Sequence, residues 1–80
     1  MDKTRMFNLK EIEDALVETT LDEVREALRE KGYNPVNQIV GYLVTGDETF
    51  ITNYKDARKK ILSIDRGVLI ETIVRSYLEN

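Results

Sequence analysis

The sequence predicts an all-α fold, a small bundle of four to five short helices, and two kinds of observation support this. Apolar residues recur at intervals of three and four along most of the chain, which is the spacing of a helix buried on one side. Residues that begin or end helices stand between these stretches. Asn34 with Pro35, and also Asp65, are typical of helix starts, whereas Gly32 and Gly46 are placed to end helices.

The stretch before Gly32 carries two apolar sets, whose faces differ by about a third of a turn at roughly 100° per residue. These sets are Leu9, Ile12 and Leu16, followed by Val17, Leu21, Val24 and Leu28. We therefore expect two short helices here. Thr20 and Glu23 have the spacing of a capping box, which would begin the second helix. One long helix is the alternative interpretation.

The next helix is expected from Pro35 to about Thr45, with Gly46 ending it. Gly41 in its interior would permit a close approach or mark a bend. The periodicity predicts one buried side, which consists of Val36, Ile39, Val40 and Leu43.

A connector over residues 47–52 follows, and we expect its Phe50 and Ile51 to return to the core. A further helix is expected from residue 53 to about residue 64. Its apolar residues recur at helical spacing and form a stripe, which consists of Tyr54, Ala57, Ile61 and Ile64.

The composition narrows the function classes. The chain has 80 residues, of which 41% are hydrophobic and 34% charged, as in one folded domain near the lower size limit for folding alone. Because it contains no cysteine and no histidine, thiolate nucleophiles, imidazole bases and the usual zinc sites are absent. We therefore expect neither an enzyme nor a bound metal or other cofactor. The net charge of -3 argues against binding to nucleic acid.

Residues 1–8 follow neither a helical nor an alternating period, so we expect a flexible tail ahead of a single domain over residues 9–80. The tail lacks the apolar stretch of a secretory signal. No apolar run approaches the roughly 18 residues that a bilayer span requires. These observations predict a cytoplasmic protein without direct membrane insertion.

Three cations form a candidate phosphate-binding face. Lys55, Arg58 and Lys59 have the spacing i, i+3, i+4, which would place them on one helix face opposite the apolar stripe. A solvated outer face, partly neutralised by Asp56, is the alternative interpretation. A phosphorylated side chain is favoured over nucleic acid as the ligand, since the only aromatic residue nearby is Tyr54, which is expected in the core.

Two further surfaces are candidates for protein contacts. The last helix is expected from Arg66 to about Leu78, and its apolar face is wider than one packing partner needs, which suggests a homodimer. The interface candidates on that helix are Leu69, Ile70, Ile73, Val74 and Tyr77. A polar surface near Pro35 is a candidate site for another partner, and it consists of Asn34, Asn37, Gln38 and Tyr42.

The run EKGYNPVNQIVGYLVTGD, residues 30–47, strongly resembles the IreB-like regulatory phosphoproteins of Gram-positive bacteria. Shorter stretches resemble the same family, and they lie at residues 2–4, 7–8, 50–51, 55–58 and 76–78. The resemblance implies a small helical homodimer without enzymatic activity. It also implies a substrate of a membrane-anchored Ser/Thr kinase with extracellular PASTA domains, and a cognate phosphatase that removes the phosphate. The signalling pathway that it implies is linked to cell-envelope stress and antibiotic tolerance.

In this family the reported control is phosphorylation of threonine in the N-terminal tail, and Thr4 is the residue that matches. The chain departs from the family pattern in lacking a second threonine there, and in having Glu48 where a proline is usual. We therefore hypothesise a dimer that is switched by phosphate on Thr4 and acts on a downstream protein that the sequence does not identify. A constitutive adaptor and a nucleic-acid accessory protein are the rival hypotheses.

Overall fold

The computed structural model describes residues 9–79, which form four α-helices and contain no strand. The helices are α1 (Leu9–Glu30), α2 (Pro35–Thr45), α3 (Ala57–Leu62) and α4 (Arg66–Glu79), and two short 3-10 turns, Glu48–Phe50 and Tyr54–Asp56, lie between α2 and α3. The predicted all-α bundle is thereby confirmed. The predicted tail over residues 1–8, and the last residue of the predicted domain, lie outside the described residues.

The first helix is continuous, so the predicted break near Thr20 is wrong. Thr20 is 5% exposed and lies in the middle of the buried face of α1, where it caps nothing. That face recurs without a shift in phase along the C-terminal two thirds of the helix, and it consists of Val17, Thr20, Val24, Ala27 and Leu28. The earlier apolar set, Leu9, Ile12 and Leu16, is exposed. Its different phase therefore does not require a separate helix with its own buried face.

The turn between α1 and α2 has the local structure that the sequence predicts. Gly32 has a φ of 85°, and the amide of Tyr33 donates a hydrogen bond to the carbonyl of Leu28 at 2.9 Å, which ends α1 in a Schellman-type motif. The Asn34 side chain then accepts from the amide of Asn37 at 3.0 Å and begins α2. Both boundary predictions are confirmed.

The predicted buried side of α2 is only partly right. Val36 and Val40 are exposed, whereas Tyr42 is 3% exposed and belongs to the core. Ile39 and Leu43 pack against the core without being fully buried. Because α2 is apolar over most of its circumference, its own sequence does not determine which side faces α1.

The connector after α2 returns to the core, as predicted. Ile51 is fully buried, and the ring of Phe50 covers Gly41, where a Cβ would lie 2.5 Å from the ring carbons. Gln38 of α2 donates from Nε2 to the Phe50 carbonyl at 2.9 Å. The predicted close approach at Gly41 is therefore made by an aromatic ring of the connector.

The helix predicted from residue 53 begins later, at Ala57. Lys55 and Asp56 have left-handed backbone angles, with φ of 53° and 60°, and this interrupts the helical path. The expected apolar stripe nevertheless faces inwards: Ala57, Ile61 and Ile64 are buried and Tyr54 packs against the core.

The last helix begins as predicted, since Oδ2 of Asp65 accepts from the amide of Gly67 at 2.9 Å. Leu69 and Thr72 are its buried residues. The core that joins the four helices has its largest fully buried side chains in α1, the connector, α3 and α4, namely Leu28, Ile51, Ile61, Leu69, Val17 and Val24.

Candidate functional site

An apolar groove of about 320 Å³ lies between α1, α2 and α4. Its apolar lining is contributed by Leu21, Pro35, Val36, Ile39, Val40, Leu43 and Ile73, and Asp22 and Arg25 stand beside it. Val36 is 69% exposed and Val40 is 50% exposed, so one wall of the groove is open. An apolar surface of this kind can bind an apolar side chain from another molecule.

The exposed stripe of α4 continues from this groove. Ile70, Ile73, Val74 and Tyr77 are all exposed, and their spacing places them on one side of the helix. Leu69 was also predicted as an interface residue, but it is fully buried within the protomer, so that assignment is corrected. Leu69 lies at one edge of this stripe, where together with Thr72 it forms the buried side of α4.

The polar surface predicted near Pro35 is smaller than expected. Asn34 and Asn37 are exposed, and they are joined by the cap of α2. Gln38 is half-buried and its amide is bound to the connector, while Tyr42 is buried in the core. Tyr42 is therefore removed from this surface because it is buried in the core, while Asn34, Asn37 and the exposed part of Gln38 stay candidates for partner contact.

The three predicted phosphate-binding cations do not share one helix face. Lys55 precedes α3 in a left-handed conformation, and its ammonium lies 3.2 Å from Oε1 of Glu30. Arg58 donates from Nε to the Ile51 carbonyl at 2.8 Å, and Lys59 is exposed. The predicted geometry is therefore wrong, and phosphate binding by Arg58 and Lys59 stays a prediction.

The ion pair at Glu30 is reinforced by an aromatic ring. The hydrogen bond from Lys55, followed by the one from the Tyr54 hydroxyl at 3.0 Å, lowers the pKa of Glu30, and the same ion pair raises the pKa of Lys55. The ammonium groups of Lys31 and Lys55 lie 5.1 and 5.4 Å from the centre of the Tyr54 ring. Lys55 is thus already engaged by groups of its own protomer.

Lys55 also lies far along α1 from the predicted modification site. Thr4 lies outside the described residues, and the five peptide links from Thr4 to Leu9 span at most about 18 Å. Lys55 is bound to Glu30 at the far end of α1, and the 22 residues of that helix measure about 32 Å. The backbone from Thr4 to Leu9 is therefore shorter than the helix that separates Leu9 from the ion pair of Glu30 and Lys55.

One polar cluster was missed by the sequence analysis. Arg75 of α4 donates from Nη1 to Oδ2 of Asp14 in α1 at 2.9 Å, and from Nη2 to Glu71 at 3.3 Å. The hydrogen bond with Asp14 is the main cause that raises the pKa of Arg75. No local signal identifies this pair, because its members are 61 positions apart and each has the sequence context of an ordinary exposed helix residue.

Among residues 9–79, no helix combines the length and the apolar character that crossing a membrane requires. Comparison with protein families gives a match that covers nearly the whole chain. The family model described as IreB regulatory phosphoprotein matches residues 2–79, which include the tail threonine, the groove and the α4 stripe.

Proposed function

Since the chain belongs to the IreB family of regulatory phosphoproteins, we propose that it is a non-enzymatic cytoplasmic regulator controlled by phosphate on Thr4. The modifying enzyme is a membrane-anchored Ser/Thr kinase of the PASTA type, and a cognate phosphatase reverses the reaction. The signal concerns cell-envelope stress or antibiotic tolerance and is passed to a downstream protein. The observation that carries this proposal is a family match that extends over nearly the whole chain and includes Thr4.

The proposed functional unit is a homodimer, and the apolar groove supports it. The α4 stripe around Ile73 projects beside the groove that contains Val36 and Val40. Ridge and groove on the same molecule are the elements of a self-complementary, two-fold interface. A second copy would also cover apolar side chains for which a small core has no room.

The dimer is tested with single charges placed in the groove. Val40→Glu and Ile73→Glu would each force a carboxylate into the proposed interface, where it has no partner. We expect sedimentation of the unaltered protein at micromolar concentration to give twice the protomer mass, and both variants to give the single mass with unchanged helical circular dichroism.

Leu62→Glu is the matched control, because Leu62 is an exposed apolar residue of α3 that does not line the groove. It should sediment like the unaltered protein. A single-mass species for the unaltered chain, or equal dissociation by all three substitutions, would remove the groove as the dimer interface.

The phosphorylation proposal is tested in the cells that make the protein. Mass spectrometry should locate phosphate on Thr4, and envelope stress should change the modified fraction. Thr4→Ala should abolish that signal and alter the set of co-purified proteins, whereas Thr19→Ala, at an exposed threonine of α1, should change neither. Identical partners for the unaltered protein and Thr4→Ala would favour the constitutive adaptor instead.

A further inference from the structure

A second cavity, which is polar and has a volume of about 250 Å³, lies between α1 and α4. It is lined by Asp14, Glu18, Thr72, Arg75, Ser76 and Glu79. Its volume suits the head group of one side chain and is smaller than that of a typical small-molecule site.

Two buried polar atoms of this cavity have no hydrogen-bond partner among the residues that the structure describes. They are Oδ1 of Asp14 and Oγ1 of Thr72. Thr72 is 4% exposed, and the other oxygen of Asp14 already accepts from Arg75. Since buried polar atoms are almost always paired, a group that donates hydrogen bonds can satisfy both atoms by entering this cavity.

The charge of the lining favours a cation as that group. Asp14, Glu18 and Glu79 contribute three carboxylates against the single guanidinium of Arg75, which is shared with Glu71. The last carbonyls of α4 add negative potential at Glu79. An organic cation with several donors can distribute them over these spread carboxylates and the Thr72 hydroxyl, so it is the matching class of ligand.

We propose that this cavity binds the side chain of Arg5 from the N-terminal segment of the same chain. The four peptide links from Arg5 to Leu9 span at most about 14 Å. Along α1, Asp14 lies about 8 Å and Glu18 about 14 Å from Leu9, so both carboxylates are within reach. A guanidinium has donors in a planar fork and can serve Asp14 and Thr72 together, which the single ammonium of Lys3 does less well.

Docking of Arg5 gives Thr4 a mechanism of control, and this consequence rests on the proposed phosphorylation of Thr4. A phosphate there adds about two negative charges next to Arg5. Those charges would face the carboxylates of Asp14, Glu18 and Glu79 and would oppose docking. The unmodified segment is therefore held against α1 and α4, and the modified one is released to other partners.

The test uses a spin label on the full chain, which contains no cysteine of its own. A nitroxide attached through Asp2→Cys should strongly reduce the amide signals of Thr72 and Ser76 in the nuclear magnetic resonance spectrum. Arg5→Gln, and separately Glu18→Gln, should restore most of that intensity, whereas Lys59→Gln on α3 should restore none. Signal loss confined to the first turn of α1 would overturn the docking.

Two further samples separate the parts of the proposal. In a mixture where the label and the nitrogen isotope reside on different copies, we expect only a weaker signal loss, which comes from the proximity of the two copies in the proposed dimer. A loss at Thr72 and Ser76 as strong as in the singly labelled copy would overturn docking within one chain. Thr4→Glu should weaken the effect and Thr4→Gln should preserve it. Equal effects for this pair would refute the electrostatic control and leave the binding site standing, and an absence of phosphate on Thr4 in cells would refute only the proposed function.

Discussion

The two ends of α1 differ in how they are used. Towards its C-terminus the helix buries Val24, Ala27 and Leu28 against α2, α3 and the connector, and the chain then turns with its polar groups paired. Towards its N-terminus it exposes Leu9 and Leu16, and at Asp14 it leaves a buried carboxylate oxygen without a partner in the described chain. The first end maintains the fold, and the second end presents apolar and carboxylate groups that the rest of the described chain does not cover.

The largest expected effect is a core truncation at the packed end. Leu28→Ala should lower the free energy of unfolding by about 3 kcal/mol, because the side chain is fully buried and leaves a cavity. Leu16→Ala, the matched change at the open end, should alter it by less than about 0.5 kcal/mol. Urea denaturation at one fixed protein concentration measures both. Similar losses at the two positions would break the comparison.

A smaller effect is expected from a glycine that an aromatic ring covers. Gly41→Ala would place a Cβ 2.5 Å from the Phe50 ring, and overpacking of this kind costs about 1 to 3 kcal/mol, which exceeds the roughly 1 kcal/mol gained in helix propensity. Gly67→Ala is the control, since its Cβ would meet a single side-chain oxygen, the Asp65 Oδ2 that caps α4, and no aromatic ring. It should leave stability unchanged or slightly higher, and a stabilising Gly41→Ala would show that the ring is not held in place.

The smallest effect concerns the exposed ion pairs, which occur at both ends. The pKa of Glu30 is lowered from about 4.5, chiefly by the hydrogen bond from Lys55, and the pKa of Glu71 is lowered chiefly by Arg75. Such a carboxylate adds stability above its unfolded pKa, and this stability is lost as the pH falls through the lower folded pKa.

Glu30→Gln and Glu71→Gln should therefore each destabilise the protein slightly at neutral pH, and the difference from the unaltered chain should shrink as the pH falls below the unfolded pKa of about 4.3. Thermal unfolding across that pH range measures the effect. Because both carboxylates are exposed, the two losses should be of similar size. A large loss for only one of them would mean that charge, as well as apolar burial, distinguishes the two ends.

The boundaries of α2 and the start of α4 were predictable because short-range chemistry sets them. Asn34 and Asp65 accept hydrogen bonds from amides two or three residues later, and Gly32 supplies a backbone angle that other residues resist. The family resemblance was equally visible, since a long ungapped run carries it. Features of this kind depend on neighbours in the sequence and need no knowledge of the rest of the fold.

The predictions that failed depend on contacts between distant segments. Thr20 has the local sequence of a helix cap, yet burial on the shared face of α1 outweighs that preference. The phase of α2 is decided by the position of Tyr42 against α1, and nothing local distinguishes Tyr42 from Val40. The left-handed pair at Lys55 and Asp56 lacks the glycine that usually announces such a turn.

The candidate sites also divide into those that local sequence indicates and those that depend on contacts between distant segments. The exposed α4 residues were found because an apolar stripe is periodic, and Leu69 was misassigned because periodicity does not say which edge of the stripe the protomer keeps. The cavity between α1 and α4 was not predictable, since Asp14 and Arg75 meet only after the chain has folded.

The length of α1 sets a limit on recognition by other proteins. A standard protein–protein contact covers about 800 Å² on each partner, a footprint about 30 Å across, which is close to the roughly 32 Å from Leu9 to Glu30. A partner protein whose contact is centred on Asn34 and Asn37 thus leaves the N-terminal end of α1 uncovered. A contact of that size at the asparagine end and another one near Leu9 therefore cover different parts of the chain.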